Sequence, residues 1–154
     1  MIKSKEKAIE FQLSDKDGNL VKLSDFLGKK VVLYFYPKDD TPGCTIEACS
    51  FRDVYDEILE LNAVVIGISP DSTKSHVNFG QKYNLPFYLL SDVDHLVAEE
   101  YGAWTQKTMF GKKYMGIQRS TFIIDELGYV AKVFPKVTPT KHGEEVIKAM
   151  EEIN

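Results

Sequence analysis

Two cysteines occur in this chain of 154 residues, Cys44 and Cys49, within Thr41-Pro42-Gly43-Cys44-Thr45-Ile46-Glu47-Ala48-Cys49. A thiol can act as nucleophile, metal ligand or half of a disulfide, and its surroundings select among these. The apolar run Val31 to Tyr36 and then Pro37 precede the pair. Such a run reads as a buried strand, and Pro-Gly-Cys then opens a helix, with Cys44 in its first turn. Thr41 is positioned to cap that helix, Pro42 suits its first position, and Gly43 allows close backbone approach. First-turn amides lack intrahelical partners and, with the helix dipole, favour a thiolate at Cys44. The competing reading is a small buried apolar residue.

In an intact helix, residues five apart differ by about 7.5 Å in rise and about 140° in rotation, leaving their Cα atoms roughly 8 to 9 Å apart. A disulfide needs less than about 7 Å. Bonding of Cys44 to Cys49 therefore requires local unwinding. Most residues from Cys44 to Phe51 are weak or middling helix formers, so this start is expected to be the soft part of the helix. The alternative is a Cys49 that only packs the helix face. Structural zinc is disfavoured, because the two thiols lack a second pair of ligands, and His76, His95 and His142 fall on separate elements. Those histidines are read as surface or capping residues, and the basic stretch Lys107 to Lys113 as a solvated loop. Tyr101 and Trp104 could wall a site or pack the core.

The elements that must position the cysteines follow from the apolar pattern. Residues 11–13 and 20–23 flank Asp17-Gly18-Asn19 as an N-terminal β-hairpin, with Ser24-Asp25 capping a short turn. The buried strand from Val31, a helix from about Gly43 to Leu61, and a second buried strand Val64 to Ser69 form a βαβ unit. Ser72 caps a helix to about Tyr83. A strand at Phe87 to Leu90 follows, then a helix from about Asp94 to Tyr101, and a loop from Thr105 to Gly116. Strands at 121–124 and 129–133 make a hairpin, and Lys141 to Ile153 is an amphipathic helix. This order predicts one α/β domain over residues 1–154, a central mixed sheet flanked by helices. Its layout, with a cysteine at a helix start behind a buried strand, resembles the thioredoxin-like sandwich.

The chain is 44% hydrophobic and 27% charged, with a formal charge of −4. That balance fits a globular protein and gives no reason to expect nucleic acid or anionic membrane as partner. The N-terminal residues do not read as a signal peptide, and no apolar run approaches the roughly 18 residues of a membrane helix. A cytoplasmic location is expected, and there any disulfide would be transient.

The segment Pro37 to Thr45, followed by Glu47-Ala48-Cys49, resembles the active-site motif of peroxiredoxins. The second cysteine five residues on resembles the bacterioferritin comigratory protein, or peroxiredoxin Q, subfamily. Similar matches are Gly67-Ile68-Ser69, Leu85-Pro86-Phe87, Leu89 to Asp92, Tyr101 to Trp104, Tyr114 to Ile117 and Arg119 to Asp125, so the likeness runs from about Ala8 to Ile153. It implies a peroxidatic Cys44, a resolving Cys49, Thr41 as hydroxyl partner and Arg119 as cationic partner. Glu47 would orient Arg119, Pro37 would shield the pocket, and Gly43 would help to bind the peroxide. The implied activity is reduction of hydrogen peroxide and organic hydroperoxides through a Cys44–Cys49 disulfide, without metal or organic cofactor. Thioredoxin or a glutaredoxin-like dithiol would recycle it, in a monomer or weak homodimer. A redox sensor or holdase would use the same disulfide switch without steady turnover.

Overall fold

The computed structural model describes residues 1–153. Strand β1 (Gln12–Ser14) pairs antiparallel with β2 (Leu20–Lys22), and between them the Asp15 carboxylate accepts from the amides of Asp17 and Asn19. Such local bonds make the turn, and Gly18 supplies its positive φ of 81°. A 3₁₀ turn, Leu23–Phe26, follows. Its start is capped by the Asp25 carboxylate, which accepts the Lys22 amide at 3.0 Å.

The chain continues through β3 (Lys30–Phe35), α1 (Pro42–Asp53), α2 (Tyr55–Glu60), β4 (Ala63–Ser69), α3 (Thr73–Tyr83), β5 (Tyr88–Ser91) and α4 (Leu96–Tyr101). After these come β6 (Trp104–Met109), β7 (Lys112–Ile117), β8 (Ser120–Ile124), β9 (Val130–Phe134) and α5 (His142–Ile153). Seven strands form one sheet in the order β2-β1-β5-β4-β3-β8-β9. β3, β4 and β5 run parallel, while β8 lies antiparallel to β3 and β9. The expected mixed sheet, flanking helices and N-terminal hairpin are all present.

Every residue of β3 is buried, so alternation decides only which core each one enters. Val31, Leu33 and Phe35 join Tyr101 of α4 and Phe122 on one face. Val32, Tyr34 and Tyr36 meet Cys44, Ala48 and Phe51 of α1 and Val146 and Met150 of α5 on the other. Cys44 thus enters the same core as the strand that delivers it. The Tyr34 hydroxyl is buried there without a hydrogen-bond partner among the described residues, an arrangement that costs about 1 to 3 kcal/mol. Tyr34→Phe is therefore expected to stabilise the fold by about 1 kcal/mol, read from the midpoint of urea unfolding.

Some expectations change, and open ones are decided. The helix from Gly43 to Leu61 is two, broken at Val54 (φ −117°, ψ 14°). The buried positions Cys44, Ala48, Phe51, Tyr55 and Ile58 keep helical spacing across the break, so periodicity could not reveal it. The loop from Thr105 to Gly116 is a hairpin, β6 with β7, turning through Phe110 and Gly111, both at positive φ. It stands largely in solvent, and its many polar and charged residues hid the strand signal. The α4 amides of Val97 and Ala98 donate to the Asp92 carboxylate. His76 and His142 are fully buried. Both nitrogens of each ring find partners, which makes burial tolerable. Tyr101 belongs to the core, its hydroxyl donating to the Ile9 carbonyl, whereas half-buried Trp104 stacks on His95.

Candidate active site

β3 ends at Phe35, and half-buried Pro37 begins the loop that leads to α1. Asp39 fixes this loop from within. Its amide donates to Asp71 Oδ2 at 2.7 Å, and its carboxylate accepts the Tyr36 hydroxyl at 2.6 Å and the Ser75 hydroxyl at 2.8 Å. At the rim, Asp40 accepts from Lys82 and from the Tyr83 hydroxyl. Asp40 has φ 56°, so the loop turns sharply into the helix.

Thr41 occupies the N-cap position with extended backbone, and Pro42 opens the helix, as expected. The Thr41 hydroxyl does not cap: it donates to the Lys38 carbonyl at 2.8 Å. The first-turn amides of Gly43 and Cys44 therefore receive no side-chain cap from it. With its proton committed to Lys38, the Thr41 oxygen keeps lone pairs that can accept a hydrogen bond.

Arg119, just before β8, crosses to α1 and joins two of its side chains. Nη2 donates to Cys44 Sγ at 3.3 Å and Nη1 to Glu47 Oε1 at 2.7 Å. Gly43 makes room for the guanidinium, since a Cβ there would lie 3.1 Å from Nη2. Cys44 itself is only 2% exposed. Burial opposes the Arg119 charge, but Glu47 and Cys44 more than offset this and hold the guanidinium above its ordinary range. Glu47 is fully buried, and its Oε2 has no hydrogen-bond partner among the described residues. Burial outweighs the attraction of Arg119 and pushes the carboxyl up from 4.5 to about 7.

That shift fixes a sign. A carboxyl raised on folding contributes stability below about pH 4.5 that is lost as pH rises through about 7. Relative to wild type, Glu47→Gln is expected to gain about 3 kcal/mol between pH 4 and pH 8, roughly the free energy of a shift of this size. Urea unfolding of both proteins across that range checks it.

Cys49 lies half-buried further along the intact α1, and neither cysteine is in a disulfide. Burial raises its pKa. The structure thus gathers Gly43, Cys44, Glu47 and Arg119, places Thr41 and Pro37 in the adjoining loop, and leaves Cys49 outside the cluster. Sequence reading missed Asp39, whose only signal was its place just ahead of Thr41. It also dismissed Lys107 as part of a solvated loop. Lys107 is half-buried on β6, where burial and the Arg119 charge lower its pKa while Cys44 acts in the opposite sense. Among the described residues, no helix is long and apolar enough to cross a membrane.

A mixed sheet flanked by helices, with a buried thiol at a helix start that accepts a hydrogen bond from an arginine, is a thioredoxin-like arrangement. Residues 5–133 match the AhpC/TSA family. Peroxiredoxin Bcp of Bacillus subtilis is 50% identical over 97% of this chain and 95% of its own length, and that of Escherichia coli 42% over 98% and 97%. The bacterioferritin comigratory protein of Xanthomonas campestris superposes with a TM-score of 0.88 at 37% identity, over 92% of this chain and 90% of that one. A peroxiredoxin Q variant of Xylella fastidiosa gives 0.93 at 31%, over 99% and 97%. The chain belongs to the AhpC/TSA family, among its peroxiredoxins of the Bcp and peroxiredoxin Q kind. It is a thiol peroxidase, which takes a peroxide substrate and needs a reductant partner.

Proposed function

We propose that Cys44 is the peroxidatic nucleophile and Cys49 the resolving thiol of an intramolecular disulfide cycle. The observation that carries this reading is the Arg119 guanidinium spanning Cys44 Sγ and Glu47 Oε1. A peroxide arriving at Cys44 meets a nucleophile, the Thr41 oxygen to orient it, and Arg119 and first-turn amides as donors where the leaving oxygen gains charge. Glu47 holds the guanidinium in place. Pro37, at the start of the loop, shields the approach.

The Cys44 thiolate attacks one peroxide oxygen. An S–O bond forms as the O–O bond breaks, and the leaving oxygen takes a proton to become water or an alcohol. Cys44 is then a sulfenic acid. The first turns of α1 unwind, the Cys49 thiolate attacks the Cys44 sulfur, and water leaves as the disulfide forms. A thioredoxin-like or glutaredoxin-like dithiol reduces the bridge by exchange. Hydrogen peroxide and organic hydroperoxides both suit the site, and alkyl peroxide reduction is described for the Xanthomonas relative. An intrachain bridge needs no second subunit, which fits a monomer or weak homodimer. A reducing cytoplasm would supply the dithiol.

Cys49→Ser is the test. One equivalent of peroxide is consumed and Cys44 is left as sulfenic acid, while turnover with thioredoxin falls by about 10²-fold or more because no disulfide forms for the donor to attack. Unchanged turnover with a dithiol donor would remove Cys49 from the cycle.

A further inference from the structure

Cys49 sits at the border between two halves of α1, and the half that follows it is held from outside. The Ser50 hydroxyl accepts the Gly143 amide of α5 at 3.1 Å, and the two helices approach so closely there that a Cβ at Gly143 would collide with the Ser50 carbonyl. Phe51 is fully buried. Arg52 Nη1 donates to the carbonyl of Tyr83, the last residue of α3, at 2.8 Å. The half that precedes Cys49 is the one that must unwind for a bridge to form, since residues five apart in an intact helix stay beyond disulfide reach.

Arg52 lies three positions after Cys49, so the two share one face of α1. Helical side chains lean toward the N-terminus, which is the direction from Arg52 to Cys49. The guanidinium is fixed at two points, by the Tyr83 carbonyl and by the Asp53 carboxylate, which accepts from Nε at 3.0 Å. Arg52 is 33% exposed and Asp53 65%, so solvent screens the carboxylate more than the guanidinium. Burial lifts the Cys49 thiol, the Arg52 charge opposes this, and Asp53 acts with burial.

We propose that Arg52 serves the resolving step, holding a fixed positive charge beside Cys49 while the turns that carry Cys44 unwind toward it. This rests on the reading of Cys49 as the resolving thiol. In that step the Cys49 thiolate attacks the sulfenic sulfur of Cys44. An S–S bond forms, the S–O bond breaks, and the departing hydroxide takes a proton to become water. Cys49 is oxidised and the Cys44 sulfur reduced to the disulfide level. A neighbouring cation raises the share of Cys49 present as thiolate. Without it, a fall of about tenfold in thiolate, offset about threefold by the greater nucleophilicity of a more basic thiolate, leaves bridge formation about threefold slower.

Rapid-quench mass spectrometry after one equivalent of hydrogen peroxide follows both steps, loss of the Cys44 thiol and conversion of its sulfenic acid to the bridge, in wild type, Arg52→Gln and Arg52→Lys. Arg52→Gln is expected to slow bridge formation about threefold at neutral pH and to leave Cys44 oxidation unchanged. Arg52→Lys keeps the charge and should recover most of the rate. Salt at about 0.5 M should slow the bridge in wild type and not in Arg52→Gln. A purely structural tie to Tyr83 would behave differently, because its loss loosens α1 and hastens the bridge. A bridge as fast as wild type or faster in Arg52→Gln therefore overturns the proposal, as does an equal loss in Arg52→Lys. Should Arg52→Gln fail to fold, a wild-type rate indifferent to salt overturns it instead. If wild type forms no Cys44–Cys49 bridge, the resolving role of Cys49 has failed and this proposal falls with it; a bridge that forms but ignores Arg52 and salt sinks this proposal alone.

Discussion

Cys44→Ser is expected to end peroxide turnover, with a loss of at least about 10⁴-fold, because a serine hydroxyl neither ionises usefully near neutral pH nor expands its valence to hold the transferred oxygen. The fold should survive. Serine is close to cysteine in size, and the Arg119 donor that meets Sγ at 3.3 Å keeps an acceptor in the hydroxyl oxygen. Peroxide consumption with any thiol donor, measured beside the thermal midpoint, separates lost chemistry from lost structure. Retained turnover in a folded Cys44→Ser protein would remove Cys44 from the reaction.

Arg119→Ala is expected to slow oxidation of Cys44 by about 10² to 10³-fold, the usual consequence of losing a donor aimed at developing charge. It should also destabilise the fold by about 3 kcal/mol, because Glu47 is fully buried and, among the described residues, this guanidinium is its only side-chain hydrogen-bond partner. Arg119→Lys separates the two effects. An ammonium returns the charge but not the two-pronged grip on Cys44 and Glu47, so stability should recover more than rate. The check is the rate constant for peroxide with wild type and both variants, set against their urea midpoints. A rate in Arg119→Ala within about threefold of wild type would show that the guanidinium serves only to hold Glu47.

The parts of the fold that were legible in sequence are those whose burial leaves a simple period. β3 and β4 are continuous apolar runs, and Ser72 and the amphipathic α5 announced their helices. Val54 was invisible because the apolar spacing continues through it. The β6–β7 hairpin was hidden for the opposite reason, as strands exposed along much of their length need no apolar alternation. In the site, Cys44, Arg119 and Glu47 were legible as a group only through the family motif. Arg119 lies 75 positions from Cys44 in the chain, and no local pattern predicts that contact. The buried role of His76 was equally hidden, since its partners Asp39 and Leu90 come from elements that only the sheet brings together. Thr41 shows that a cap residue can be placed correctly while its hydroxyl does something else.

The most direct test of the central claim is peptide mapping by mass spectrometry after one equivalent of hydrogen peroxide, with free thiols blocked. In wild type the account predicts a Cys44–Cys49 bridge within one chain, and in Cys49→Ser a sulfenic acid on Cys44. Two unmodified thiols in wild type, or oxidation confined to Cys49, would contradict it.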